Sequence, residues 1–239
     1  MFRSSNPMFR DKAYDAAVTG ELMTARGAVN KTFVLLAILI FGVSMVWAQP
    51  LKYMGLAMPS LIIGAILSIV TVFKREWSPV TAPIYAFCEG IVIGWLSAMI
   101  ESRYPGIAVQ AVILTFGVLF CMLGLYQSRI IRVTDRFRTI IMSALGAICL
   151  IYIVGLVMSF FGKSIPLIHE NGPVGIIFSI VVIGIAAFSL AMDFDFIEQA
   201  PQYGAPKYME WYAAFGLMVT LIWLYIEILK LLAKLRSRD

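Results

Sequence analysis

The stretch VGIIFSIVVIGIAAFSLAMDFDFIEQ, residues 174–199, decides the fold. From 174 to 192 no side chain is charged; then Asp193, Asp195 and Glu198 follow in quick succession. An apolar run of about 20 residues, carried as a helix, is long enough to cross the roughly 30 Å hydrocarbon layer of a bilayer. Six further runs of this kind lie at 32–48, 55–73, 80–100, 107–126, 139–161 and 211–232.

The composition agrees. Of 239 residues, 61% are hydrophobic and 14% charged, and the mean hydropathy is +0.88. Soluble domains carry about 25% charged residues, so this chain lacks the charge to cover a water-exposed surface. The runs are apolar on every face, whereas barrel strands alternate with a period of two. The expected fold is therefore all-α, a polytopic membrane protein with seven transmembrane helices. Residues 1–31 read as an N-terminal cytoplasmic arm, partly helical from Ala13 to Met23, and residues 32–235 as the transmembrane domain. The polar leader before the first run argues against a cleaved signal peptide.

The net charge of +5 does not indicate nucleic acid, because the basic residues flank the apolar runs. Arg3, Arg10, Lys12, Arg26 and Lys31 precede the first run, and only Lys52 follows it. Lys74 and Arg75 come next, then Arg103 alone, then Arg129, Arg132, Arg136 and Arg138, then Lys163 alone. This dense–sparse alternation places the N-terminus in the cytoplasm by the positive-inside rule. The end breaks the pattern, since a seventh crossing puts Lys230, Lys234, Arg236 and Arg238 outside. Either the last run re-enters without crossing, or packing overrides charge; seven crossings are the favoured reading.

Cys88, Cys121 and Cys149 lie inside apolar runs without metal-ligand spacing and read as core-packing residues. Ser60, Gly64 and Ser68 in the second run, and Gly90 and Gly94 in the third, have the spacing that lets membrane helices approach closely. Pro59 suggests a late start to the second helix, and Pro83 sits early in the third. No nucleophile elbow, zinc-binding HExxH or phosphate loop is present, so an enzyme is not expected, nor a resident cofactor. The single histidine, His169, has no second ligand nearby in the sequence and reads as a solvated loop residue.

Acids in apolar runs are the informative residues, because each costs roughly 2.5–3.5 kcal/mol to insert. Glu89, Asp193, Asp195, Glu210 and Glu227 are the candidates. Asp193 and Asp195, two apart, point to nearly opposite helix faces, so only one is expected to face a bundle interior. Glu227 has Lys230 three residues on as a simple partner. Two carboxyls that meet in a low-dielectric bundle do not both ionise; they share a proton or attract a divalent cation such as calcium. That chemistry suits a pH-gated cation pathway or proton-coupled exchange.

Three short motifs carry a family resemblance. LYIEILKLLAKL (224–235) resembles the last-helix signature of the Bax inhibitor-1 family, MDFDFI (192–197) its sixth-helix ending, and FCEGIVIG (87–94) its third-helix segment. MTARGAVNKT and APKYMEWYAAFG are similar to the bacterial, YccA-type subgroup. The resemblance implies a seven-helix bundle with the last helix central, in a bacterial inner membrane. It also implies a pH-sensitive calcium leak governed by a carboxyl pair, here Asp193 and Glu227, which would be the calcium ligands. Arg75 or Lys74 would be the basic latch. Three features depart from the family pattern. Glu227 replaces an aspartate, Asp195 replaces a glutamine, and the IN after the acid becomes IL, followed by Lys230. Glu210 stays open as a rival partner for Asp193, because Glu227 lies far along the last run. Two other roles remain: a non-conducting protein that associates with other membrane proteins, such as a protease complex, and a small-molecule transporter.

Overall fold

Thr24, with its side chain accepting from the Gly27 backbone N–H, starts the first helix. The computed structural model describes residues 21–161 and 172–237. Among these residues seven long helices follow one another: α1 Ala25–Trp47, α2 Met54–Phe73, α3 Ser78–Arg103, α4 Ile107–Gln127, α5 Asp135–Phe160, α6 Pro173–Gln199 and α7 Met209–Arg236. All seven are long and apolar enough to cross a membrane, and the described residues contain no strand beyond one isolated bridge. Short 3-10 turns, Arg75–Trp77 and Ala200–Tyr203, lead into α3 and out of α6.

Each apolar run became one helix, but the polar flanks were drawn in. Helix α1 begins at Ala25, so residues 25–31 of the expected arm are helical. The described end of the expected Ala13–Met23 helix is not helical: Leu22 instead forms an antiparallel bridge to Pro206. The rest of that helix, Arg3, Arg10, Lys12, Lys163, His169 and Arg238 lie outside the described residues. Pro59 does not delay α2, which starts at Met54 and contains it; Pro83 sits in the second turn of α3. Of the cysteines only Cys88 is buried, while Cys121 and Cys149 are exposed on helix sides that lipid would cover.

The described residues divide into two compact units. The first holds α1, α2, most of α3 and residues 195–218; the second holds α4, α5, most of α6 and the second half of α7. In the first unit glycines set the packing. A Cβ on Gly90 would collide with the Leu39 carbonyl, and one on Gly94 would lie 2.9 Å from the Val43 Cα, so α1 and α3 touch backbone to backbone. Close approach is how helices gain contact when lipid removes the hydrophobic drive to associate. Here the small-residue spacing builds the interior. Helix α7 is the most buried, with 56% of its apolar window inside, against 11% for α5.

Connections in each unit fix the direction of the chain. In the first, Met23 N–H donates to the Ala205 carbonyl (2.8 Å), Lys207 N–H to Glu21 (3.0 Å), and Ser78 Oγ to Tyr208 (3.0 Å). The start of α1, the start of α3 and the α6–α7 connection therefore share one end. In the second, Lys234 Nζ donates to the Gly175 carbonyl and Ser179 Oγ, and Arg236 donates to the Pro105 carbonyl (2.7 Å). The C-terminal end of α7 thus lies beside the starts of α4 and α6. Within each unit this is the alternation that successive crossings require. At 28 residues α7 is about 42 Å long, enough to span. Two of the terminal cations that disturb the charge pattern, Lys234 and Arg236, are held by carbonyl and hydroxyl oxygens of neighbouring helices.

Candidate functional site: carboxyls within the helices

Helix α6 does not end at its acids but runs on to Gln199. Ile197 and Ala200 beyond them are buried and draw that last stretch inward. Both aspartates are affected. Asp193 is half-buried, and the Thr220 side chain of α7 hydrogen-bonds its carboxyl. Its second oxygen, Oδ2, is buried without a partner; with Trp95 Nε1 it is one of two such side-chain atoms among the described residues. Only one of the two was expected to face inward, yet Asp195 is only 6% exposed, accepting from Gln199 Nε2 at 2.7 Å. Glu198 is exposed, as a solvated helix end should be.

Glu227 is 3% exposed, and its Oε1 accepts both the Tyr152 hydroxyl (2.9 Å) and the Lys230 ammonium (3.0 Å). Lys230 Nζ also stands 5.3 Å from the centre of the Tyr152 ring. The simple i,i+3 pairing read from the sequence is therefore present, with α5 adding a third member. Asp193 and Glu227 are not hydrogen-bonded to each other: Asp193 meets α7 at Thr220, about two turns or 10.5 Å along the axis before Glu227.

Two contacts set the register of the antiparallel pair α6 and α7. Asp193 faces Thr220, and Ser179 faces Lys234, about four turns away on both helices. That register puts Ala186, fully buried, at the level of Glu227. Residues seven apart keep nearly one face, so Thr220, Glu227 and Lys234 form a polar stripe along α7.

Glu210, the rival partner, is occupied elsewhere. It is 1% exposed and its Oε1 accepts the Thr24 N–H and hydroxyl, both at 3.0 Å, with Lys207 Nζ at 3.3 Å. A Cβ on Gly27 would overlap this carboxylate, so glycine leaves it room. The Glu210 carboxylate in turn holds the exposed Lys207 ammonium above the usual lysine range. Glu89 is half-buried and bonded to the Tyr85 hydroxyl; Gly64 of α2 lies against it, with 3.3 Å from Oε1 to where a Cβ would be. Arg75 stacks on Tyr212 at 5.2 Å and Lys74 on Trp77 at 4.8 Å.

The acids were legible because ionisable groups stand out in apolar runs. Thr220 and Tyr152 were not, since either residue reads as ordinary in a membrane helix until a carboxyl is seen beside it. No group of three or more metal-ligating side chains of the His, Cys, Asp and Glu type occurs among the described residues. Glu89, Asp193 and Glu227, on three different helices, each have a hydroxyl donor instead.

The family model described as Bax inhibitor 1 like matches residues 6–237, nearly the whole chain. The chain belongs to the Bax inhibitor 1-like family. No match was found among curated proteins or among solved structures. In this Bax inhibitor 1-like chain the three motif acids occupy three separate settings: Glu89 beside Tyr85, Asp193 beside Thr220, and Glu227 beside Tyr152 and Lys230.

Proposed function

We propose that the protein is a pH-sensitive cation leak, or proton-linked cation exchanger, of a bacterial plasma membrane with its N-terminus in the cytoplasm. Asp193 is its sensing group. The observation that carries this reading is the buried, unpartnered Oδ2 of Asp193 within a membrane-crossing helix. A lone carboxylate oxygen shielded from water favours whatever brings positive charge to it, and a proton or a passing cation are the available forms. Thr220 serves the other side of the carboxyl, so uptake and release of a proton act directly on the contact between α6 and α7. Membership of the Bax inhibitor 1-like family supports calcium as the cation carried. The distribution of basic residues supports the orientation.

The test is calcium flux into dye-loaded liposomes holding the purified full chain, followed over a pH series. Wild type is expected to change its flux with pH, and Asp193→Asn, which keeps shape but cannot ionise, to lose that dependence. An Asp193→Asn protein with the wild-type pH profile overturns the assignment. A chain that passes no cation at any pH leaves a role in association with other membrane proteins as the better account.

A further inference from the structure

Lys230 stands where a cation bound to Glu227 would stand. Its Nζ is 3.0 Å from Glu227 Oε1 and 5.3 Å from the Tyr152 ring centre, so a carboxylate and an aromatic face together cradle an ammonium. The lysine side chain is 48% exposed while the carboxylate is 3% exposed. The charge therefore enters on a flexible tether from the open side and caps a buried acid. Among the described residues of this unit, the groups seen to act on Glu227 are Tyr152 from α5 and Lys230 and Lys234 from α7, with α6 presenting Ala186 by register. Lys234 is itself held by Gly175 and Ser179, one turn beyond Lys230.

We propose that Lys230 is a tethered counter-ion that competes with divalent cations for Glu227 and so holds calcium passage along α7 below what the bare carboxylate would allow. This rests on the cation-passage reading and names the residue that restrains it. A calcium ion takes six to eight oxygens and needs carboxylate lone pairs free. Here Oε1 already accepts two donors, and a dication approaching it must either displace the ammonium or sit beside its charge. A proton or a monovalent ion faces half the electrostatic opposition. The tether also fixes the effective concentration of the competing charge, because that charge is part of the chain.

The experiment compares full-length wild type, Lys230→Met, Lys230→Arg and Lys230→Met with Glu227→Gln, each reconstituted in liposomes, with potassium and calcium as the probe ions. Lys230→Met should raise calcium flux relative to potassium flux about tenfold, Lys230→Arg should leave the ratio unchanged, and the double variant should lose the gain. Calcium-dependent thermal stabilisation of the detergent-purified proteins gives a second readout that needs no flux. It should emerge in Lys230→Met and vanish in the double variant. A folded Lys230→Met protein with the wild-type flux ratio and no calcium-dependent shift overturns the proposal. The two readings separate cleanly. Failure of Asp193→Asn to change the pH profile strikes the sensing role alone, while calcium stabilisation gained through Glu227 still supports the tether.

Discussion

Removing the Glu210 side chain should loosen the protein without touching its response to pH. Glu210 lies at the start of α7 and satisfies both the N–H and the hydroxyl of Thr24, at 3.0 Å each. Hydrogen bonds to a charged group contribute about 1.5–3 kcal/mol each, and a part-buried pair belongs at the lower end, so Glu210→Ala should cost about 3 kcal/mol. The Lys207 contact adds little, because that lysine is 47% exposed and surface pairs are worth roughly 0–1 kcal/mol. For a chain of this length each kcal/mol moves the melting temperature by about 2–4 °C, so a fall of about 6–12 °C is expected. Glu210→Gln, which keeps an acceptor for Thr24, should fall by about half as much. Tryptophan fluorescence during heating of the detergent-purified full chain reads the change. Glu210→Ala melting within about 2 °C of wild type would refute the reasoning, since that shift is worth under 1 kcal/mol at this size. A Glu210→Gln protein that lost its pH-dependent flux would instead move Glu210 from staple to sensor. The Lys207 contribution has a definite sign. Its folded-state ammonium is held above the ordinary lysine range, so the contact is fully present at neutral pH and is lost as pH rises through that raised value.

Gly90→Ala places a methyl against the Leu39 carbonyl, a backbone atom that cannot swing aside, and should cost about 3 kcal/mol by the overpacking range. Gly117→Ala, with open space around it, should instead stabilise α4 by up to about 1 kcal/mol; equal melting of the two variants would disprove a backbone contact between α1 and α3. Glu101 accepts the N–H groups of Gly106 and Ala108 at the start of α4, so Glu101→Ala should lose about 1 kcal/mol, the usual worth of such a cap, on the same thermal scale. An unchanged midpoint would show that water replaces the carboxylate there.

The seven helices were readable because a membrane crossing writes its length into the chain as an uncharged run, whatever its neighbours. Their ends were less readable. Helix α1 starts at Ala25, before its apolar run, because Thr24 caps it and Glu210 fixes Thr24, a partner 186 residues away. Helix α6 runs on through Asp193 and Asp195 because the buried Ile197 beyond them anchors it. The candidate carboxyls were legible for the opposite reason: a charge in an apolar run needs an explanation wherever it falls. Their partners needed three dimensions. Nothing local in the sequence joins Thr220 to Asp193 or Tyr152 to Glu227, whereas Lys230 sits one turn from its acid and was visible as such.

The bond between Thr24 and Glu210 also orders events during synthesis. Residues emerge at about 5–20 per second, so the 186 positions between them correspond to roughly 10–40 s of translation. For that interval α1 has already left the ribosome while the N–H and hydroxyl of Thr24 await their acceptor, and Met23 awaits the Ala205 carbonyl. The first turn of α1, already able to pack on α3, therefore gains its bonds to the α6–α7 connection only when α7 begins to appear.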